Sequence, residues 1–242
     1  MGEAKRRRQS GDGPGAGRSA SGRRWLLGGA AVLALAALGG LFYWITTPTV
    51  APVGELPTAA EGAGPFPAEL DRYGVSRGDP QAPVVVREFA DYQCPACARF
   101  AESTKRLFED YVQDGQVRYV YFDFPLDQHP NAVPAAMAAR CAGDQDAYWP
   151  MHLALFEGQS EWADAATPLN VFAGYAGSLE LDVGLFRRCM EAERHRPAVA
   201  RSRDVARRLR VTSTPTVLVD NIVLTRPGWF QLAGVVEREL GR

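Results

Sequence analysis

Read from its N-terminus, the chain changes hydrophobic rhythm several times, and each change marks an element. Residues 25–45 are apolar without a single charge. A run of that length can cross a hydrocarbon core of about 30 Å as a helix. Trp25 stands at one end and Tyr43 and Trp44 at the other, and aromatic side chains favour the membrane interfaces. Residues 46–68 then lose all period. Pro48, Pro52, Pro57, Pro65 and Pro67 are mixed with Gly54, Gly62 and Gly64, the composition of a linker. Residues 69–82 read as a lead-in with a turn at Gly78, Asp79 and Pro80.

From residue 84 the pattern is that of a folded domain. Val84, Val85, Val86 and Phe89 form a β-branched, apolar run suited to a buried strand over 84–89. Pro95 fits the first turn of a helix, and Phe100, Leu107, Phe108 and Tyr111 carry its apolar stripe over 98–111. Asp114 and Gly115 end it, and 117–123 is a second strand, stopped by Phe124 and Pro125. Strand, helix, strand predicts a parallel pair with a right-handed crossover. Helical periods follow: 131–142 behind Asn131, 148–157, 168–175 capped by Thr167 with Pro168 in its first turn, 183–194 capped by Asp182, and 197–209. Strands return at 215–219 and 222–224 around Asp220-Asn221, a two-residue hairpin turn. Residues 229–240 close the chain as an amphipathic helix. The predicted class is α/β: βαβ, a helical insertion at about 131–209, then ββα, with the folded domain over 69–242.

Charge sharpens this picture. The 242 residues sum to −1, yet residues 1–24 carry a net +5, which leaves −6 on the remainder. That remainder offers no basic nucleic-acid surface, so no nucleic-acid partner is expected. Basic residues precede the apolar run and none follows until Arg72, which keeps the N-terminus in the cytoplasm and puts everything after residue 46 outside. Residues 1–24 read as a disordered cytoplasmic tail. A cleaved signal peptide is the competing reading. The small-x-small site lies inside the apolar run, however, and the run is long for a signal, so the expectation is a single-pass anchor in the cell membrane.

All four cysteines lie in the outward part, where disulfides are permitted. Cys94 and Cys97 form a Cys-x-x-Cys just after a strand, at a helix start. Free N–H groups and the helix dipole stabilise an anion there, and the thiolate is the species that exchanges disulfides. Cys94, first and more exposed, is the candidate nucleophile; Cys97, one turn further in, is the resolving thiol. Half of a zinc site and an inert structural disulfide are the alternatives, the first without a second Cys-x-x-Cys or a His pair at ligand spacing. His129, His152 and His195 are scattered and read as helix-end or surface residues. Trp149 and Phe156 read as core, and Tyr92 and Phe124 as an apolar rim near the cysteines. No metal is expected, and no cofactor, since the cysteines are themselves the redox group.

Strand, Cys-x-x-Cys, helix and strand, with Thr214-Pro215 before a hairpin and a last helix, resemble the thioredoxin fold. The helical block resembles the DsbA-like branch, and Asp91-Tyr92-x-Cys94-Pro95-x-Cys97 resembles its membrane-anchored members, over roughly 70–240. The resemblance implies that Cys94 and Cys97 cycle between disulfide and dithiol. It implies that Pro215 is cis and faces them, with the Thr214 backbone pairing an extended substrate segment. It implies that Glu88 is a partly buried acid of raised pKa that relays a proton to or from Cys97. Cys141 and Cys189 would form the second disulfide of related outward-facing members, closing a loop worth roughly 4 kcal/mol; two buried free thiols are the alternative. The implied function is an extracytoplasmic thiol–disulfide oxidoreductase, a dithiol oxidase. Its partners would be unfolded or partly folded secreted protein thiols and an integral-membrane protein that reoxidises it. Pro95 and Ala96 carry no charge, so helix-start amides would have to supply most of the thiolate stabilisation an oxidase needs. A reductase or isomerase therefore stays open, as does a redox-inert, membrane-tethered interaction module.

Overall fold

The computed structural model describes residues 37–38 and 55–241. Ala37 and Leu38 are helical; the rest of the predicted apolar span, the basic tail and the first part of the predicted linker lie outside the described residues. Among the described residues no helix is long and apolar enough to cross a membrane.

Five strands form one sheet in the order β1-β3-β2-β4-β5: β1 Val75–Arg77, β2 Val84–Ala90, β3 Val117–Asp123, β4 Thr216–Val219 and β5 Ile222–Val223. β2 and β3 are parallel, in register from Val84 beside Val117 to Ala90 beside Asp123, as a helical crossover between them requires. β4 lies antiparallel on the other side of β2, and β5 and β1 close the edges antiparallel. β2 and β3 are covered on both faces, so apolar residues occupy both faces of each strand instead of alternating with polar ones.

The crossover is α1, Pro95–Leu107, which continues as a π turn over Phe108–Val112. The insertion follows as α2 Ala132–Gly143, α3 Tyr148–Glu157, the short α4 Gln159–Trp162, α5 Leu169–Ser178, α6 Val183–Glu191 and α7 Arg196–Arg208. The last helix is α8, Trp229–Glu239. Val84, Val86, Tyr119 and Tyr121 share a core with α1, α8 and most of the insertion. Phe89, Val120 and Phe122 point the other way and pack on Val205 and Ala206 of α7.

Several local expectations are corrected. Asp182 does cap α6, its carboxylate accepting from the Leu185 N–H at 2.8 Å, but the helix stops at Glu191, and Glu193 turns left-handed at φ +48°. Thr167 does not cap α5; Pro168 takes the N-cap position and the helix begins at Leu169. Asn131 precedes α2 without capping it, because its side chain is spent on more distant carbonyls. The lead-in contains an unforeseen 3₁₀ helix, Ala68–Tyr73, and the edge strand β1. That helix carries Asp71, whose buried carboxylate takes Arg87 of β2 at 2.7 Å and also pairs Arg118 of β3.

Residues 55–67, inside the stretch read as a linker, lie along this domain. Leu56 packs so closely on Gly234 of α8 that a Cβ there would stand 3.0 Å from it. Arg238 donates to the Pro57 carbonyl at 2.8 Å, and Asn221 to that of Ala63 at 3.4 Å. Phe66 lies under the Arg87 guanidinium, 4.1 Å from ring centroid to Cζ, a cation–π contact.

Candidate active site

β2 ends at Ala90, and the chain turns through residues 91–94 to deliver Cys94 at the N-cap of α1. Cys94 has extended backbone (φ −74°, ψ 121°), and Pro95 occupies the first turn, where a missing N–H costs no hydrogen bond. The Cys94 carbonyl accepts from the N–H groups of Cys97 and Ala98 at 3.0 and 3.1 Å. Cys94 keeps 8% of its surface exposed and Cys97 none; both thiols are free.

The two sulfurs ionise in opposite directions. The Cys94 thiol is pulled down to about 5, first because the Cys97 thiol donates to its thiolate. Burial opposes this; the Thr214 side chain and then the amides of Cys97 and Ala96 add to it. Helix-start amides thus come last, where the sequence suggested they would carry most. Cys97 is pushed far above the ordinary thiol range by burial, by its bond to Cys94 and by the negative charge of Glu88.

The loop before β4 supplies the opposite wall. The Thr214-Pro215 peptide is cis. As a thiol, Cys94 donates to the Thr214 carbonyl at 3.7 Å. The Thr214 hydroxyl is buried with no oxygen or nitrogen partner among the described residues, and it serves the thiolate instead. Beneath the pair, Glu88 is buried in β2 with Oε2 accepting from the Tyr119 hydroxyl and from Thr104 Oγ1 at 3.2 Å. Burial lifts its pKa to about 7 against those two donors. The structure therefore gathers Cys94, Cys97, Thr214, Pro215 and Glu88 at one end of the sheet.

Cys141 and Cys189 are elsewhere. They are disulfide-bonded between α2 and α6, Cα to Cα 5.9 Å, so the reading as two free thiols falls.

A set of polar residues around the turn escaped the sequence. Asp91 is buried and accepts from the Gln93 N–H (2.7 Å), the Leu126 N–H (2.8 Å) and His129 Nδ1 (2.7 Å). The Gln93 side chain donates to the Ala163 carbonyl and accepts from the Asn131 N–H, both at 2.7 Å. Asn131 donates to the carbonyls of Trp162, Ala163 and Ala165. Gln159 Nε2 donates to the carbonyls of Tyr92 (2.6 Å) and Cys94 (3.1 Å). The insertion thus holds the backbone of the cysteine turn through amide side chains. Only Asp91 and Gln93, being next to the motif, could have been suspected.

His152 is not a surface residue. It is buried in an aromatic box with Tyr121, Trp149 and Phe156, its Nδ1 2.8 Å from the Tyr92 hydroxyl. Burial holds its pKa down at about 3, so the ring stays neutral. Tyr92 is buried in the same box rather than on a rim, and Phe124 belongs to the cluster on the far face of the sheet.

A family model described as thioredoxin matches residues 71–237. Among curated proteins, the "Na(+)/H(+) antiporter NhaA 1" of Salinispora arenicola is 38% identical over 155 residues, 64% of this chain and 22% of that protein. The chain thus spans about a fifth of the length of that relative. A protein of Bacillus anthracis named "Probable disulfide bond formation protein D" is 29% identical over 171 residues, 68% of this chain and 77% of that one. Among solved structures, oxidised BdbD from Bacillus subtilis superposes with a TM-score of 0.63 at 22% identity, covering 77% of this chain and 97% of the other.

Proposed function

We propose that this chain, which belongs to the thioredoxin family and within it to the DsbA-like thiol–disulfide oxidoreductases, is a dithiol oxidase of secreted proteins, held at the outer face of the cell membrane by residues 25–45. The observation that supports it best is the ionisation of Cys94. At a pKa of about 5 the sulfur is about 99% thiolate at pH 7. A stable thiolate favours the reduced enzyme, and a stable reduced form makes the disulfide a strong oxidant.

The cycle begins with Cys94 and Cys97 joined. A substrate thiolate attacks Cys94 Sγ, the Cys94–Cys97 bond breaks, and Cys97 leaves with the electron pair. Cys97 cannot stay ionised where it is buried, so it takes a proton; Glu88, half protonated near pH 7, supplies it. A second substrate thiolate then attacks the substrate sulfur of the mixed disulfide, and Cys94 leaves as the stabilised thiolate. The substrate has lost two electrons and two protons; the enzyme has gained both electrons, and an integral-membrane acceptor removes them. Thr214 and Pro215 line the cleft in which an extended substrate segment pairs with the backbone.

Equilibration of the full chain in glutathione redox buffers tests the direction. The expected potential lies well above that of thioredoxin; a value near ~−270 mV would assign it to reduction instead. Recovery of disulfides in a reduced, unfolded secreted protein, lost in Cys94→Ser, separates the enzyme from a redox-inert module.

A further inference from the structure

Beside Cys94 opens a cleft of about 310 Å³. Ala96 and Phe100 of α1 form one side, and Thr214, Pro215, Pro227 and Gly228 the other. One charged side chain lines it: Arg99. Arg99 is exposed and makes no ion pair, hydrogen bond or ring contact among the described residues. Its charged neighbours on the helix line other surfaces. Arg106 lies over the Trp229 ring at 4.0 Å. Glu102 and Lys105 line a separate small cavity beside Leu153 and Phe156. The far wall is fixed: Gln231 accepts from the Arg226 N–H at 2.9 Å and donates to Thr225 Oγ1 at 3.0 Å. Arg226, next to Pro227, is likewise exposed, its side chain unpaired among the described residues. No carboxylate lines the cleft.

A cleft next to the cysteine turn, walled by apolar groups and lined by a guanidinium with no carboxylate in its lining, is complementary to an anion. Arginine presents a donor fork that matches a carboxylate, and charge-assisted hydrogen bonds of that kind are roughly twice as strong as neutral ones. We infer that this cleft selects substrate segments bearing an acidic side chain close to the reacting cysteine, and that Arg99 is the residue that reads it. The inference rests on the oxidase reading of the same site and adds its substrate class. The register follows from helix and strand geometry. Arg99 is five residues beyond Cys94, about 7.5 Å along the helix axis. For a segment that runs along the helix axis, rising about 3.3 Å per residue, the acidic residue lies about two positions from the substrate cysteine. Lysine at that position meets like charge, so selection works by repulsion as well as attraction.

The test uses three single-cysteine peptides that differ only two positions from the cysteine, where they carry Glu, Gln or Lys. Each attacks the oxidised full chain, and the rate of mixed-disulfide formation is expressed per peptide thiolate. The expected order is Glu, Gln, Lys, with about a tenfold spread at low salt that narrows at high salt, as exposed charges are screened. Arg99→Gln removes the spread and Arg99→Glu reverses it, each rate being expressed relative to the Gln peptide on the same protein, because the attacking thiolate is itself an anion. An unchanged order in Arg99→Glu overturns the inference and leaves the oxidase standing. Failure of every peptide, the Gln peptide included, overturns the oxidase reading and the inference with it.

Discussion

Cys94 and Cys97 stand three residues apart at the open end of α1 with both sulfurs free, whereas Cys141 and Cys189 stand 48 residues apart on α2 and α6 with their sulfurs joined. Their surroundings differ as much as their spacing. Cys94 faces donors: the Cys97 thiol, the Thr214 hydroxyl and two backbone N–H groups. Cys189 faces an acceptor, the Asp144 carboxylate at 3.6 Å, which His195 and Arg194 also approach. A thiolate needs donors, so the first pair can release an anion cheaply and the second has an anion already beside it. Sulfur chemistry here is decided by what surrounds each atom.

Three experiments press on that contrast. Replacing both Cys141 and Cys189 by Ser should cost the most, about 4 kcal/mol of unfolding free energy in denaturant titrations. The Cys94 titration, followed by thiolate absorbance, should keep its midpoint near 5; a large displacement would show that the two pairs are coupled.

Glu88→Gln should act on the first pair alone. When Cys97 attacks a mixed disulfide on Cys94, it must lose its proton, and the Glu88 carboxylate accepts it only when ionised. Resolution should therefore speed up as pH rises through about 7 in the parent protein. The variant should lack that inflection and be roughly tenfold or more slower at pH 8. The sign for stability is opposite. A carboxyl whose folded pKa is raised costs more as pH climbs from its unfolded value to its folded one. Glu88→Gln should gain stability relative to the parent between about pH 4.5 and 7, and equal it below that window.

Gln159→Leu is the mildest of the three. It removes one amide donor from the Cys94 carbonyl and another bond from that of Tyr92. We expect a loss of about 1 kcal/mol in stability and a small rise in the Cys94 midpoint. The conservative Gln159→Glu keeps the shape, lacks the donor and brings a negative charge, so it should raise the midpoint further. Equal midpoints in all three proteins would make the clasp a purely structural tie.

What could be read from the chain follows the range of the interaction concerned. β2, α1, β3 and the hairpin were legible because local period and turn chemistry fix them: residues 84–89 and 117–123 coincide with strands to within a residue. β1 was missed because three residues, Val75, Ser76 and Arg77, are too few to show alternation; it is a strand only because β3 offers a free edge. The Thr167 cap failed for the opposite reason, a local rule overridden when Pro168 itself took the N-cap. At the site, the two cysteines were visible from spacing. The largest cause of the Cys94 shift, the Cys97 thiol, sits in that motif, but the contribution of the Thr214 hydroxyl was hidden, because it lies 120 residues away in sequence. Asn131, Gln159 and His152 were opaque for the same reason: a lone polar residue on a helix looks alike whether it meets water or a carbonyl.

The strap formed by residues 55–67 has a mechanical consequence. α8 starts at Gly228, on the wall of the cleft, and reaches Arg238 about 15 Å further on at 1.5 Å per residue. The first residues of the strap are fastened along its C-terminal half, through Leu56 on Gly234 and Pro57 on Arg238, and the later ones at Asn221 and Arg87. A pull on the chain upstream of Glu55 therefore loads the C-terminal half of α8 before it reaches the cysteine turn.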